Sequence, residues 1–124
     1  MAVKTTWEEN GVHWQLTGVV PFQQILNTIE GFYNDVRSDR AKYQLINASK
    51  LDAFEVTERD MKCVAAFDYG ASKTIKNLKV ACVANNPENK KVFELYIEGS
   101  RNLNSSWKFQ IFDNLETARE WVES

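Results

Sequence analysis

Apolar and polar positions alternate with a period of two at the start of the chain. Val3, Thr5 and Trp7 share one side of "VKTTWEENG", and Val12, Trp14 and Leu16 share one side of the stretch that follows. Asn10-Gly11, between them, favours a type I′ turn, because both residues tolerate positive φ. The pattern predicts a β-hairpin with one apolar face. The period then lengthens to that of a helix. Phe22, Ile25, Ile29, Phe32 and Val36 recur at helical spacing, and Leu26 and Tyr33 widen the stripe. Pro21 suits the first position of this helix, where its missing N–H is not needed.

"KYQLINA" (42–48) predicts a short third strand, followed by an irregular acidic-apolar connection. Helical spacing returns in "TERDMKCVAAFDYGASKT", with Met61, Val64, Ala65 and Phe67 on its apolar side. Gly70 marks one end for this helix, and "ASKTIKN" allows a further turn. "LKVACVAN" (78–85) is apolar at successive positions, as a strand covered on both faces would be. Asn86 then caps a helix with Pro87 at its first position, and Val92, Leu95 and Tyr96 face inward. Gly99 marks its end, and "SRNL" could add a turn. "WKFQIF" (107–112) sets Trp107, Phe109 and Ile111 on one face of a strand. "DNLETAREWV" sets Leu115, Ala118, Trp121 and Val122 on one face of a final helix.

The order ββαβαβαβα predicts an α/β fold over residues 1–124, read as a single domain. It has a mixed, mostly parallel sheet with an N-terminal β-hairpin and about four helices. A chain of 124 residues can bury roughly two-thirds of its unfolded surface. It therefore needs neither a metal nor a disulfide to fold. Fifteen Lys plus Arg against seventeen Asp plus Glu give a formal charge of -2. That balance argues against a general nucleic-acid binder, which needs a basic surface to release counterions. The longest clean apolar run is "VACVA", far short of the roughly 20 residues of a membrane span. Nothing at the N-terminus has the form of an export signal. A cytoplasmic, not membrane-spanning protein is expected.

Chemistry is sparse. Cys63 and Cys82 are 19 positions apart and form no Cys-x-x-Cys pair, so they read as buried, inert thiols. His13 is the only histidine and is expected on the polar face of its strand. The glycines are scattered singly, and no phosphate-cradling loop can be built from them. No nucleophile, acid/base pair, metal set or cofactor motif emerges, and the expectation is a protein that is not an enzyme and carries no cofactor. Lys73, Lys76 and Lys79 form a small basic cluster at the end of the second helix. Symmetric dimers are the commonest oligomers, so a homodimer is compatible with a chain of this kind.

Two features have more to say. Thr57 stands where the acidic connection becomes a helix. Its side chain can accept from the N–H groups of Arg59 or Asp60, and Asp60 can reach back as in a capping box. The same hydroxyl is a candidate phosphoacceptor, although Asp52, Glu55, Glu58 and Asp60 would repel a phosphate and only Arg59, Lys50 or Lys62 could pair with it. Asp52, Glu55, Glu58, Arg59 and Asp60 form a candidate interaction surface of fixed negative potential. The second feature is aromatic. Phe54, Met61, Phe67, Phe93 and Tyr96 either fill the core or line an apolar pocket between helices and sheet.

The string "YQLINASKLDAFEVTERDM", the pairing of "LKVACVANN" with a helix, and the ending "FQIFDNLETAREWV" together resemble the STAS family. Within it they resemble the SpoIIAA-like group of STAS/SEC14-type small proteins. The resemblance covers nearly the whole chain and is carried by residue class more than by fixed residues. It implies a STAS-like fold and a regulatory, protein-interaction module that contacts another protein. In anti-sigma factor antagonists of the family, Asp-Ser-Ser-Gly precedes the second helix, and one Ser is phosphorylated. Glu55, Val56, Thr57 and Glu58 fall on that motif, so only Thr57 retains a hydroxyl. The likeness of the fold to SEC14 domains implies, as the alternative, a carrier or sensor of an apolar small molecule or lipid.

Overall fold

A computed structural model describes residues 2–124. The strands are β1 (Val3–Trp7), β2 (Gly11–Pro21), β3 (Tyr43–Glu55), β4 (Lys79–Val83) and β5 (Lys108–Phe112). The helices are α1 (Phe22–Tyr33), α2 (Glu58–Ala71), α3 (Pro87–Asn102) and α4 (Leu115–Val122), and a short 3-10 helix spans Val36–Arg40. The expected order ββαβαβαβα holds.

The five strands lie in sequence order across one sheet. β1 pairs with β2 antiparallel, and every later neighbour is parallel. This order fixes where the helices go. Each parallel step moves the same way across the sheet, so three right-handed crossovers put α1, α2 and α3 on one face. Among the described residues only α4, after the last strand, reaches the other face. The core divides accordingly. Val12, Trp14, Val80, Cys82 and Phe109 pack under the three helices. Tyr43, Leu45, Ala81 and Val83 pack with Ala118 and Val122 of α4.

Several boundaries depart from the sequence reading. The hairpin is present, but Glu8 N–H bonds to the Gly11 carbonyl (2.8 Å), so the turn centres on Glu9 and Asn10. Neither Asn10 nor Gly11 has positive φ. Gly11 is needed for space: a Cβ there would lie 2.5 Å from the Tyr43 carbonyl and 2.5 Å from its ring. Pro21 is the last residue of β2 and the extended N-cap of α1, so that helix begins at Phe22. Val36 leaves the helical stripe; it sits in the 3-10 helix and is 81% exposed. α3 runs past Gly99 to Asn102, and its buried apolar side chains are Phe93, Tyr96 and Ile97, with Val92 and Leu95 only half-buried.

The largest departure is β3. It does not stop at Ala48 but continues to Glu55, paired along its length with the 11-residue β2. β4 ends opposite Asn47, so the far half of β3 has lost a neighbour. Two asparagines stand in for it. Asn85 donates to the Ser49 carbonyl (3.4 Å), and buried Asn89 donates to the Leu51 carbonyl (3.3 Å). Buried backbone acceptors need such partners. Gly18, at φ +68, accommodates an irregularity in the register of β2 with β3.

The two glycine environments make opposite predictions. Gly11→Ala should destabilise the fold by about 2–3 kcal/mol through the clash with Tyr43. Gly31→Ala, exposed in α1 with open space at its Cβ, should stabilise by up to about 1 kcal/mol. Urea unfolding of both variants checks the pair; a neutral Gly11→Ala would show that Tyr43 moves aside freely.

Candidate functional site

The acidic corner lies at the C-terminal end of the parallel strands, where open α/β sheets hold their functional groups. Thr57 is the N-cap of α2, with extended backbone. Its Oγ1 accepts from the Asp60 N–H (3.1 Å), and its own N–H donates to Asp60 Oδ2 (2.9 Å). The expected capping box is therefore complete. Glu58 and Asp60 lie in the first turn, where carboxylates suit the helix dipole. Asp52 and Glu55 stand on β3 itself, not on an irregular connection. Asp52, Glu55, Glu58 and Arg59 are exposed. Glu58 faces Lys62 one turn on, at 3.6 Å.

Behind α2 lies a cavity of about 60 Å³. Four of the five apolar residues expected to line a pocket do so: Phe54, Met61, Phe93 and Tyr96. Phe54 meets Phe93 edge to face at 5.5 Å. Phe67 does not belong to the cavity. It is 54% exposed, because positions 61, 64, 65 and 68 take the inward stripe of α2 and leave 67 on the flank. There it sits in a shallow depression with Leu26, Ile29 and Tyr33 of α1.

The residue that takes the fourth inward position is Asp68. It is 2% exposed and borders the cavity. Tyr33 of α1 donates its hydroxyl to Oδ1, and Tyr96 of α3 donates to Oδ2 (2.5 Å). One carboxylate thus joins all three helices of its layer. Burial pushes its pKa up to about 6, while the two tyrosine hydroxyls pull the other way. Burial raises both tyrosines in turn, with the neighbouring charge of Asp68 adding to the effect. Cys82, buried on β4, is raised as well, chiefly by burial.

Gln44 of β3 borders the same cavity and is 1% exposed. Its Nε2 has no hydrogen-bond partner. Neither Asp68 nor Gln44 stood out in the sequence, since each is a polar residue at an apolar-stripe position. The available signal was that position: Asp68 follows Met61 by seven, and Gln44 alternates with Ile46 and Ala48.

A second polar cluster lies on the α4 face. Glu8 is gripped bidentately by Arg119 (2.9 and 2.8 Å) and also accepts from the Tyr43 hydroxyl. The hydrogen bond from Arg119 is the main reason the Glu8 carboxyl sits below its ordinary range. His13 is half-buried rather than set out in solvent, with Nδ1 4.0 Å from Glu8 Oε2 and Nε2 enclosed without a partner. Burial lowers its pKa. Of the basic cluster, Lys79 is engaged elsewhere: its Nζ bonds the Trp121 and Ser124 carbonyls (3.0 and 3.1 Å) and secures the end of α4. Cys82 is buried as expected, but Cys63 is exposed, because α2 turns it outward. Among the described residues no helix is long and apolar enough to cross a membrane, and no group of three or more His, Cys, Asp or Glu could hold a metal ion.

This architecture defines the class. The chain has a SpoIIAA-like fold. It is similar to the crystal structure of an uncharacterised DUF3478-family protein from Shewanella loihica PV-4, described as having that fold, with a TM-score of 0.57. The match covers 98% of this chain and 92% of that one at 12% identity, so it speaks for the fold. No family model matches the chain, and no curated protein matches it.

Two measurements test the site. Thr57→Ala should cost about 1 kcal/mol, the usual worth of a side-chain cap; an unchanged urea midpoint would show the hydroxyl is not capping. Asp68 yields a pH test. Its folded pKa lies above the unfolded one, so between about pH 4 and pH 6 the native state binds more protons. Stability from this group therefore falls as pH rises through that window, by on the order of 3 kcal/mol. Asp68→Asn lacks that dependence, and its stability relative to wild type should rise by that amount. A difference that stays flat with pH would show that the carboxyl is not held in this way.

Proposed function

We propose that this protein is a non-enzymatic regulatory module that works by contact with another protein, through the start of α2 and the end of β3. The observation that carries the reading is the acidic corner. Asp52, Glu55 and Glu58 project into solvent from rigid elements, around a helix start whose cap is already complete. The SpoIIAA-like fold supports the same reading.

Thr57 is not the core of this proposal. Its hydroxyl oxygen is engaged with the Asp60 N–H, and a phosphate there would sit among carboxylates. The surface works instead as a permanently negative one, fitted to a partner that presents Lys and Arg. Like charge makes a second copy of the chain a poor occupant, so a homodimer would use another face. The non-enzymatic reading draws on how the perturbed groups are engaged: both Asp68 oxygens accept from tyrosines, and Glu8 is tied to Arg119. A lipid carrier is the weaker alternative, since about 60 Å³ cannot enclose an acyl chain.

The triple variant Asp52→Lys, Glu55→Lys, Glu58→Lys keeps the capping box. Quantitative affinity capture, with cross-linking to map the contact, should recover a partner on the wild type that the variant loses. Rising salt should weaken the contact as well. Equal capture by both proteins, or cross-links on the α4 face, would refute the assignment.

A further inference from the structure

We propose that the cavity between the three-helix layer and the sheet is a binding site for a compact, neutral, hydroxyl-bearing molecule, held by Gln44 and Asp68. The first ground is Gln44. It is 1% exposed, faces the cavity, and leaves its Nε2 donor without a partner. An unpaired buried donor costs about 1–3 kcal/mol, and a ligand acceptor removes that cost. The second ground is Asp68 on the facing helix. Each carboxylate oxygen accepts one tyrosine hydroxyl and has a further lone pair to offer.

These two groups select the ligand chemistry. An ammonium could pair with Asp68 but has no acceptor for Gln44. A carboxylate could accept from Gln44 but would be repelled by Asp68. A hydroxyl accepts from one and donates to the other. Water has the same capability, but a buried water makes about three hydrogen bonds. The rest of the wall, including Leu16, Ile46 and Val64, is apolar except for Thr28 and Tyr96, whose hydroxyl protons are already given to the Gln24 carbonyl and to Asp68. An alcohol places its carbon skeleton against that wall. The volume of about 60 Å³ admits a molecule of roughly four non-hydrogen atoms. Entry lies between β1 and α1, where a groove of about 250 Å³ shares Val3, Trp14 and Thr28 with the cavity.

The test is titration of isotope-labelled protein with propan-2-ol, followed by nuclear magnetic resonance. The Gln44 side-chain amide signals should move saturably, together with those of the cavity wall. Acetone, which accepts but cannot donate to Asp68, should bind about tenfold more weakly. Gln44→Met, similar in length but without a donor, should also weaken propan-2-ol at least tenfold. If Gln44→Met fails to fold, Val64→Leu shrinks the space while keeping Gln44 and should weaken binding to a similar degree. The charge-reversed corner variant should bind as wild type does, which separates this site from the partner surface. Shifts that never saturate, a Gln44 amide that does not move, or equal binding by these cavity variants would overturn the proposal. So would a cavity whose water the alcohol does not displace.

Discussion

A single buried carboxylate organises the helical half of this protein. Strand order alone delivers α1, α2 and α3 to one face of the sheet, but it does not fix how far each slides along its axis. Apolar packing tolerates small slips, while hydrogen bonds do not. Asp68 supplies the missing constraint, because Tyr33 and Tyr96 reach it from the helices on either side. Taking a carboxylate out of water carries a cost, which the two tyrosine hydroxyls offset only in part, and the raised pKa of about 6 records the remainder. Such a group adds less to stability than to the uniqueness of the packed arrangement.

The opposite face solves the same problem with surface chemistry. One short helix, α4, covers β3 and β4 through Ala118 and Val122. Its C-terminal part is anchored twice. Arg119 is clamped to Glu8 beside the hairpin turn, and Lys79 holds the carbonyls at the last turn. The hairpin therefore matters twice. It ends the sheet with β1, and its turn carries the carboxylate that secures the final helix. The close approach of Gly11 to Tyr43 belongs to this arrangement, since the Tyr43 hydroxyl also donates to Glu8.

Much of this was legible in the residue pattern, for reasons that also explain what was not. Element order and type follow from periodicity, and the caps at Thr57 and Asn86 follow from local chemistry. The acidic corner was visible because its residues are near one another in sequence. β3 was cut short because "SKLDAFE" mixes charge and apolar residues without clean alternation. Its strand character comes from pairing with β2 and from Asn85 and Asn89, which lie more than thirty residues away. Phe67 was misplaced because composition counted it as apolar, whereas helical geometry gave the inward position to Asp68. Gln44 and Asp68 were invisible as a pair because only the tertiary fold brings them to one cavity. The Asn10-Gly11 turn failed for a different reason: Gly serves there for close approach, a use that no local rule distinguishes from positive φ.

α2 is where the two proposed sites meet. Its spacing of 3.6 residues per turn separates Glu58, Arg59 and Lys62 on the outer face from Met61, Val64 and Asp68 on the inner one. Phe54 lies close by, at the end of β3, between the exposed carboxylates Asp52 and Glu55, and it also borders the cavity. A ligand that satisfied Gln44 would press on the same helix whose first turn forms the acidic surface. It would also bond to the same Asp68 carboxylate that keeps α2 in register with α1 and α3. The two sites would then be coupled by a shared rigid element and not by distance alone, which is the physical condition for one to influence the other.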